Sequence, residues 1–329
     1  MTRNTICDVP GLSVGQAADA LIATGVTAIL FDTPCIASIS VGGGAPGLRD
    51  TALLQPGMTV ERIDAVVLSG GSAFGLDSMG GVQAFLRERG RGFRVGDAAV
   101  PIVPGAILFD LLNGGDKDWG PEPVYWRLGY RAAAKAGLDF ELGTAGAGFG
   151  AMTATWKGGL GSASAVTPAG FTVGAIVAVN ALGSATIGDG PHFWAAPYER
   201  AGEFGGLGWP APFPAGALDL RVKGAQPENT TIALVATDAV LTKAEAKRIA
   251  VMAQDGLARA LRPVHTAFDG DTVFVAATAR ASQPPSAAGL LEIGALAADC
   301  LARAVARAVF EAEALPFPGA APDWRSRFA

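Results

Sequence analysis

The residues of this sequence best suited to chemistry are Asn229 and Thr230, which lie between a polar loop and a β-type run. A threonine hydroxyl inside a chain is a weak nucleophile, because it is not ionised near neutral pH. If the peptide bond before Thr230 breaks, the freed α-amine, with an ordinary pKa of about 7.7–8.0, can take the proton from that hydroxyl. The junction therefore predicts a chain that cuts itself and gains an N-terminal threonine nucleophile.

Two simpler interpretations of this junction remain open. Asn-Thr-Thr before an apolar run is also typical of a turn that enters a strand. The triplet also matches the Asn-x-Thr glycosylation pattern, which requires a secreted protein. Residues 1–10 lack the apolar core of a signal peptide, so we expect a cytoplasmic protein.

Two acidic residues, Asp269 and Asp271, follow about forty residues after the junction. They share parity, so in an extended segment both side chains would point to one face. Two carboxylates beside the α-ammonium of Thr230 would orient it and tune its pKa. The alternative is a plain Asp-Gly-Asp turn, because Asp-Gly is a favoured hairpin sequence.

Two further polar residues stand in segments that are otherwise apolar or glycine-rich, Asn180 and Lys157. A buried amide needs hydrogen-bond partners, and the side chain of Asn180 could stabilise an oxyanion or satisfy neighbouring backbone. Glycines around Lys157 let the backbone approach closely, which favours a lysine that lines a site.

Five motifs in this order resemble the DmpA-type self-processing aminopeptidases of peptidase family S58, and among them the enzymes that hydrolyse 6-aminohexanoate (nylon) oligomers. The motifs are residues 68–75, 156–161, 179–183, 229–230 and 269–271. The resemblance implies an N-terminal-nucleophile-hydrolase-like fold shared with ornithine acetyltransferases, in which two stacked β-sheets lie between outer helices. It also implies that Asn180 holds the oxyanion and that Lys157 contacts the nucleophile region. A tyrosine of the relatives aligns near Phe109, which has no hydroxyl, so no role is transferred there.

Composition narrows the possible partners. Half of the 329 residues are hydrophobic, 17% are charged and the net charge is −5, which provides no basic surface for nucleic acid or membrane. Two separated histidines and three scattered cysteines predict neither a metal site nor a disulfide framework, and we expect no cofactor. The low charged fraction fits buried subunit contacts, so we expect a homo-oligomer. The resemblance implies a tetramer of processed αβ units.

The pattern of elements predicts one α/β (α+β) layered sandwich over residues 1–329, because strands and helices alternate without regular βαβ spacing. Strands are predicted at residues 27–31, 37–41, 65–68, 171–179, 231–236 and 272–277. Helices are predicted at residues 76–89, 242–261 and 293–312, the second beginning with a Thr242/Glu245 capping box. The Gly-, Pro- and aromatic-rich stretch 188–226 is either a mobile segment before the cut or an oligomer-contact arm.

Two other signatures are weaker. The glycine run at 42–47 matches GxGxxG, but the helix after it would meet Pro56 and the acid that binds ribose is missing. Ser72 misses the spacing of a nucleophile elbow, so a backbone-lined pocket wall is the better interpretation.

These observations predict an amide hydrolase that cuts itself into residues 1–229 and 230–329 and then cleaves short peptides or ω-amino-acid oligomers through an acyl-enzyme. Its partner would be a small amide or peptide substrate. An aminopeptidase for N-terminal or β-amino acids would use the same machinery. An acyltransferase like the ornithine acetyltransferases, or a non-catalytic assembly or ligand-binding protein, are the alternatives from other classes.

Overall fold

The computed structural model of this protein describes residues 2–224 and 229–329. The polar loop predicted before the junction therefore falls mostly outside the described residues. The described strands are β1 (Leu12–Asp19), β2 (Thr24–Val41), β3 (Gly47–Arg49), β4 (Arg62–Ser69), β5 (Phe93–Val95), β6 (Ala98–Val100), β7 (Gly105–Ile107), β8 (Gly159–Val166), β9 (Thr172–Asn180), β10 (Thr230–Thr237) and β11 (Thr272–Ala277). The described helices are α1 (Ser78–Glu88), α2 (Tyr125–Ala134), α3 (Lys243–Ala260), α4 (Ala287–Phe310) and α5 (Trp324–Phe328).

One large sheet organises these elements. Within the described ranges it has nine strands, in the order β3-β7-β4-β2-β11-β10-β9-β8, and β1 pairs with β2 beside this path. Strands β5 and β6 form a separate hairpin. Strand β10 lies inside the sheet, parallel to β11 and antiparallel to β9, so the backbone of its residues is paired on both sides.

Strand β2 carries the chain through both halves of this sheet. Its residues 24–31 pair with β1 and β4, whereas residues 36–41 pair with β11. The β2–β4 register shifts between Leu30 and Cys35, and an irregularity of this kind bends a strand. The stretches 27–31 and 37–41, predicted as separate strands, are therefore the two ends of one strand.

Three apolar layers show how the sheet folds onto itself. Alternate residues of β10 point to opposite sides, so Ile232 and Leu234 enter a middle layer that also contains Ile29 of β2. Val235 enters an outer layer with α3 and α4, while Val26 on the other half packs against α1 and α2. The order is helices, sheet, sheet, helices, and the predicted αββα sandwich is confirmed. The prediction of two separate stacked sheets is refined, since the two layers are halves of one continuous hydrogen-bonded sheet.

Helix caps explain where the helices begin. The Thr242 hydroxyl accepts the Glu245 N–H and the Glu245 carboxylate accepts the Thr242 N–H, which confirms the predicted capping box. Helix α4 begins at residue 287, earlier than predicted, because the Ser286 hydroxyl accepts the Gly289 N–H at 3.1 Å and caps it there. Of the described helices, none combines the length and the apolar character that a membrane crossing requires.

The described part of the long Gly- and Pro-rich stretch, residues 188–224, contains only a short 3₁₀ turn at Ala196–Tyr198. Its first half belongs to the core, since Phe193 and Phe204 are buried in the layer next to α4. Its second half lies at the surface, where Leu218 and Leu220 are exposed. The stretch is therefore a packed segment followed by a peripheral one.

Candidate active site

The junction lies at the first residue of β10, between two partner strands. Thr230 is paired with Asn180 at the end of β9, and Asn229 forms a parallel bridge with Asp269. The parallel register continues to Ile232 and Thr272, which places Thr230 beside the glycine at 270. Because both neighbours are hydrogen-bonded, the backbone around the junction has a fixed position.

The carbonyl oxygen of Asn229 accepts two hydrogen bonds. The Thr230 hydroxyl donates to it at 2.5 Å, and the backbone N–H of Gly270 donates to it at 2.7 Å. A backbone N–H directed at a carbonyl oxygen is the arrangement that stabilises an oxyanion when a nucleophile attacks the carbonyl. The peptide bond before Thr230 is thus flanked by a hydroxyl and by a donor for its oxygen.

Gly270 is required here for space. A Cβ at this position would lie 2.7 Å from the Thr230 hydroxyl oxygen and 2.9 Å from the carbonyl oxygen of Ala45. Distances this short force one of the neighbours to move, and the Ala45 oxygen belongs to backbone. The glycine of Asp-Gly-Asp therefore keeps the room in which the threonine side chain lies, a role that the turn interpretation does not include.

A cavity of about 210 Å³ opens beside Thr230. Its wall is largely apolar and comes from the segments that follow β2, β4 and β7. Ser72 has a left-handed backbone with φ +51°, uncommon for a residue with a side chain, and such strain is concentrated at functional sites. The prediction of a pocket wall at Ser72 is confirmed. The lining residues are Ala45, Pro46, Gly47, Ser72, Ala73, Leu76, Ile107, Phe109, Asn229, Thr230 and Phe268.

The glycine run at 42–47 forms backbone hydrogen bonds with the segment 269–271 that contains the two acids. The Gly42 N–H donates to the Asp271 carbonyl at 2.9 Å, and the Ala45 N–H donates to the Asp269 carbonyl at 2.8 Å. A Cβ on Gly43 would lie 2.2 Å from the Asp269 carbonyl oxygen, so only glycine permits this contact. The glycines thus pack against backbone beside the junction.

Asp269 and Asp271 are both buried, and they accept hydrogen bonds from backbone amides of β10 and of the segment that follows β9. Asp271 accepts the Thr231 N–H at 2.8 Å, and Asp269 accepts the Leu182 N–H at 3.2 Å. The predicted proximity to the junction is therefore present. In this register Asp269 lies beside Asn229 and Asp271 lies beside Thr231. The side chain of Thr230 faces Gly270, the glycine between the two acids.

Burial and the neighbouring Asp271 carboxylate raise the pKa of Asp269 above its ordinary value. Asp271 also accepts hydrogen bonds from the backbone N–H of His265 and, at 2.9 Å, from its ring Nδ1. Burial lowers the pKa of His265, but the hydrogen bond and charge of Asp271 outweigh it, so that pKa is raised. This His265–Asp271 pair was not predicted, although both residues stand in one short sequence segment.

Asn180 is fully buried and its side chain is at the centre of a polar network. Its Nδ2 donates to the Phe109 carbonyl at 2.9 Å, next to the cavity. Its Oδ1 accepts from the side chain of Asn113 at 3.1 Å and from the Met152 N–H at 3.0 Å. The amide is therefore held rigidly beside Thr230, and both predicted roles, oxyanion donor and backbone partner, are compatible with its position.

Lys157 is buried, with 2% of its surface exposed. Its ammonium group donates hydrogen bonds at 2.8–3.1 Å to three backbone carbonyls, those of Gly148, Ala151 and Gly158. Burial lowers its pKa to about 7. These hydrogen bonds join two glycine-containing segments to each other. The hydrogen bonds of the Lys157 ammonium are thus with neighbouring backbone, whereas the resemblance implied contact with the nucleophile region.

A second lysine, the half-buried Lys223, approaches the site and was missed by sequence analysis. Its ammonium donates to the Oδ1 of Asn180 and to the Met152 carbonyl, each at 3.0 Å. Burial lowers its pKa to about 7, against the attraction of Asp269 and Asp110. A lone lysine in a Gly- and Pro-rich segment is typical of a solvated surface, so the sequence carried no signal for this contact.

The chain is similar along most of its length to several known proteins. A profile of the family described as Peptidase family S58 matches residues 4–320. An uncharacterized aminopeptidase of Mycobacterium tuberculosis is 42% identical, over 99% of this chain and 98% of the relative. A 6-aminohexanoate-oligomer endohydrolase of an Agromyces species is 27% identical, over 91% of this chain and 82% of the relative.

Solved structures share the fold. A Burkholderia β-aminopeptidase has a TM-score of 0.72 and 22% identity, covering 98% of this chain and 90% of that one. The L-aminopeptidase D-Ala-esterase/amidase of Ochrobactrum anthropi, described as a variant of the Ntn hydrolase fold, has a TM-score of 0.70 and 20% identity, covering 98% and 92%. The αββα sandwich is therefore an Ntn hydrolase fold.

If the chain cuts itself between Asn229 and Thr230, we predict that Gly270→Ala slows this cut, because the added methyl group would lie 2.7 Å from the Thr230 hydroxyl oxygen. Intact-mass measurement over time should show at least about a tenfold slower conversion of the full-length chain, since displaced reacting groups lose most of their rate. Gly57→Ala is the matched control, because a Cβ at Gly57 meets nothing within 4 Å. Equal rates in both variants would contradict this role of Gly270.

Proposed function

The chain belongs to peptidase family S58 and is a hydrolase that acts on amide bonds, and from this premise we propose that it processes itself and uses Thr230 as its nucleophile. The observation that carries the proposal is the pair of hydrogen bonds on the Asn229 carbonyl oxygen, from the Thr230 hydroxyl and from the Gly270 N–H. Together they supply a nucleophile and a donor for the oxyanion that its attack creates.

The cut proceeds by an N→O acyl shift. The hydroxyl oxygen of Thr230 attacks the carbonyl carbon of Asn229, and the Gly270 N–H stabilises the resulting oxyanion. The bond between that carbon and the Thr230 nitrogen then breaks, and the nitrogen leaves as an amine that carries the hydroxyl proton. Water hydrolyses the ester, which frees the carboxylate of Asn229 and the hydroxyl and α-amine of Thr230.

The same residues then act on substrate. The α-amine of Thr230 takes the hydroxyl proton while the oxygen attacks an amide carbonyl, and the amine returns the proton to the leaving nitrogen. The Gly270 N–H and the second N–H of Asn180 hold the oxyanion, because both lie beside Thr230 in the sheet. Water releases the acyl group from the threonine.

The cavity limits the substrates. Its volume of about 210 Å³ and its apolar wall suit a small acyl group, which points to amides of short peptides or of ω-amino-acid oligomers. The relatives named aminopeptidase are more similar in sequence than the 6-aminohexanoate-oligomer endohydrolase, at 42% against 27% identity. We therefore propose short amino-acyl amides as the preferred substrates and ω-amino-acid oligomers as the second choice, with no cofactor in either reaction.

Self-cutting is tested by replacing each of the two threonines. Wild type should yield pieces of residues 1–229 and 230–329, whereas Thr230→Ala should remain at the full-length 33.2 kDa and hydrolyse no amide substrate. Thr231→Ala is the matched control, because Thr231 is fully buried and does not line the cavity beside Thr230. It should be cut and active, with a reduced rate.

Intact-mass spectrometry and a small panel of amides, with free amino acids added as acyl acceptors, make this measurement. A wild-type protein that is active but uncut would contradict self-processing. If Thr231→Ala were inactive and Thr230→Ala active, the nucleophile would be Thr231 and not Thr230. Acyl transfer in place of hydrolysis would identify an acyltransferase.

Asp269 and Asp271 should influence how the hydrolysis rate of the cut enzyme depends on pH. Removal of a carboxylate beside the α-ammonium of Thr230 disfavours the charged form, so the pKa of the amine falls. The neutral amine is then available at lower pH. For Asp269→Asn and Asp271→Asn the acid limb of the rate profile should move to lower pH, and the maximum rate should fall at least about tenfold through lost orientation.

The pH profiles of hydrolysis measure this shift, and Asp255→Asn on the exposed surface of α3 provides the control. Unchanged profiles and rates in both acid variants would mean that Asp-Gly-Asp is only a turn that supports the strand.

We also propose that the processed pieces stay together in a homo-oligomer, with a tetramer of αβ units as the expected form. The low charged fraction supports this, and the β5–β6 hairpin exposes Phe93, Val95 and Val100 on one small element. Light scattering at micromolar concentration should give a multiple of 33.2 kDa. A monomeric mass would contradict the proposal.

A further inference from the structure

His265 is bound to Asp271 by two hydrogen bonds. Its backbone N–H and its ring Nδ1 both donate to the Oδ2 of Asp271, at 3.0 and 2.9 Å. An ionised carboxylate only accepts hydrogen bonds, so the ring nitrogen is the donor. Among the described residues, this contact is the only ion pair that Asp271 forms, and the side chain of the acid is 1% exposed.

The surrounding backbone is arranged to hold the ring in this place. His265 has a left-handed backbone with φ +55°, which is uncommon for a residue with a side chain. A Cβ on Gly42 would lie 2.8 Å from the ring Nδ1, so the glycine leaves room for the imidazole. The other oxygen of Asp271 accepts the Thr231 N–H at 2.8 Å. The histidine, the acid and the start of β10 are therefore joined by hydrogen bonds.

The two acids create an electrostatic conflict in the proposed enzyme. Carboxylates beside the α-amine of Thr230 orient it, but they also favour its ammonium form. A general base must be neutral, so Asp269 and Asp271 together would keep the amine protonated unless a cation offset their charge. Burial lowers the pKa of Lys223 to about 7 against the attraction of Asp269, so at neutral pH this lysine is only partly charged.

His265 is placed to provide the missing positive charge. The titratable groups that act on it are Asp271 and Asp269, whereas its neighbour on α3 is the backbone of Gln254 and its neighbour after β2 is Gly42, neither of which titrates. Burial lowers the pKa of His265, but the hydrogen bond and charge of Asp271 outweigh burial and raise it. The contact geometry and the surrounding charges thus both favour an imidazolium.

We propose that His265 is a positioning residue of this hydrolase, whose imidazolium fixes the Asp271 carboxylate against β10 and offsets its negative charge, so that the α-amine of Thr230 is neutral and acts as the base. The inference rests on the proposed function. His265 acts through Asp271 and transfers no proton itself, because the proton moves between the threonine hydroxyl, the α-amine and the leaving nitrogen.

The first test separates the charge of His265 from its hydrogen bond. His265→Asn retains an N–H donor attached to Cγ, tolerates the left-handed backbone and carries no charge. Because the charge of Asp271 is then no longer offset, the ammonium form of the amine is favoured and its pKa rises. The acid limb of the hydrolysis rate should move to higher pH by about half a unit or more, opposite to the shift expected for Asp271→Asn.

Comparison with His265→Ala isolates the hydrogen bond. This variant lacks both the charge and the ring donor, so kcat should fall by about tenfold or more, because a misplaced orienting group loses rate. His265→Asn should recover much of that loss at pH values above the acid limb. His192→Asn is the matched control, since it makes the same substitution in the other histidine, whose ring contacts the Gly208 carbonyl, and its pH profile should match wild type.

A second measurement requires neither cutting nor turnover. Imidazole resonances are followed by NMR against pH in Thr230→Ala combined with His192→Asn, so that His265 is the one histidine left in the chain. Its titration midpoint should lie above the ordinary value of 6.5, and adding Asp271→Asn should lower it, because burial then acts without the adjacent carboxylate. Thermal unfolding of each variant checks that the fold is retained.

Each outcome decides the inference. A midpoint at or below the ordinary value, or one that Asp271→Asn leaves unchanged, would overturn it. An acid limb in His265→Asn that stays in place or moves to lower pH would also overturn it, and a rate as low as that of His265→Ala would then leave His265 with a packing role. A wild type that is neither cut nor active would contradict the proposed function, and the NMR midpoint would still show whether the His265–Asp271 pair is charged.

Discussion

The register of β10 between its two neighbours is the constraint on which the rest of the site depends. Antiparallel pairing sets Thr230 opposite Asn180, and parallel pairing sets Asn229 beside Asp269. A slip of one residue would turn every side chain of the strand to the opposite face and would exchange Thr230 with its neighbour. Side-chain size opposes this slip, because Ile232 and Leu234 fill the middle apolar layer while the smaller Ala233 and Val235 fill the outer one. The same packing that stabilises the sandwich thus determines which hydroxyl meets the cavity.

Around this strand the backbone is packed unusually closely, and buried amines satisfy the carbonyls that result. Gly43 and Gly270 allow backbone to pass where a methyl group would collide with a carbonyl oxygen or with the Thr230 hydroxyl. Lys157 and Lys223 then donate to clustered carbonyl oxygens, each with a pKa lowered to about 7 by burial. A buried carbonyl without a partner is costly, so these lysines contribute to the shape of the site even where they do not touch substrate.

Structural features that depend on neighbouring residues in the chain were predicted from the sequence. The bounds of β11 and the cap of α3 follow from a β-branched run and from a capping box, and both are confirmed. Strand β8 was missed, because its alternating Gly, Ser and Ala residues hide the period of two. The N–H of Gly270 and the contact of Lys223 were missed for another reason. A backbone donor has no residue-type signal, and the lysine meets Asn180 over 43 positions of chain, a pairing that only the tertiary fold creates.

The position of β10 inside the sheet also governs how the enzyme fails. The chain upstream of the junction supplies β9 and the chain downstream supplies β10 and β11, so the proposed cut would leave one sheet and one core shared between two pieces. Folding of the uncut chain brings these parts together within one molecule, whereas separated pieces would have to find each other in solution. Denaturation of an enzyme cut in this way would therefore not be the reverse of its formation. Its working lifetime would be set by the height of the barrier to unfolding, so its stability would be kinetic.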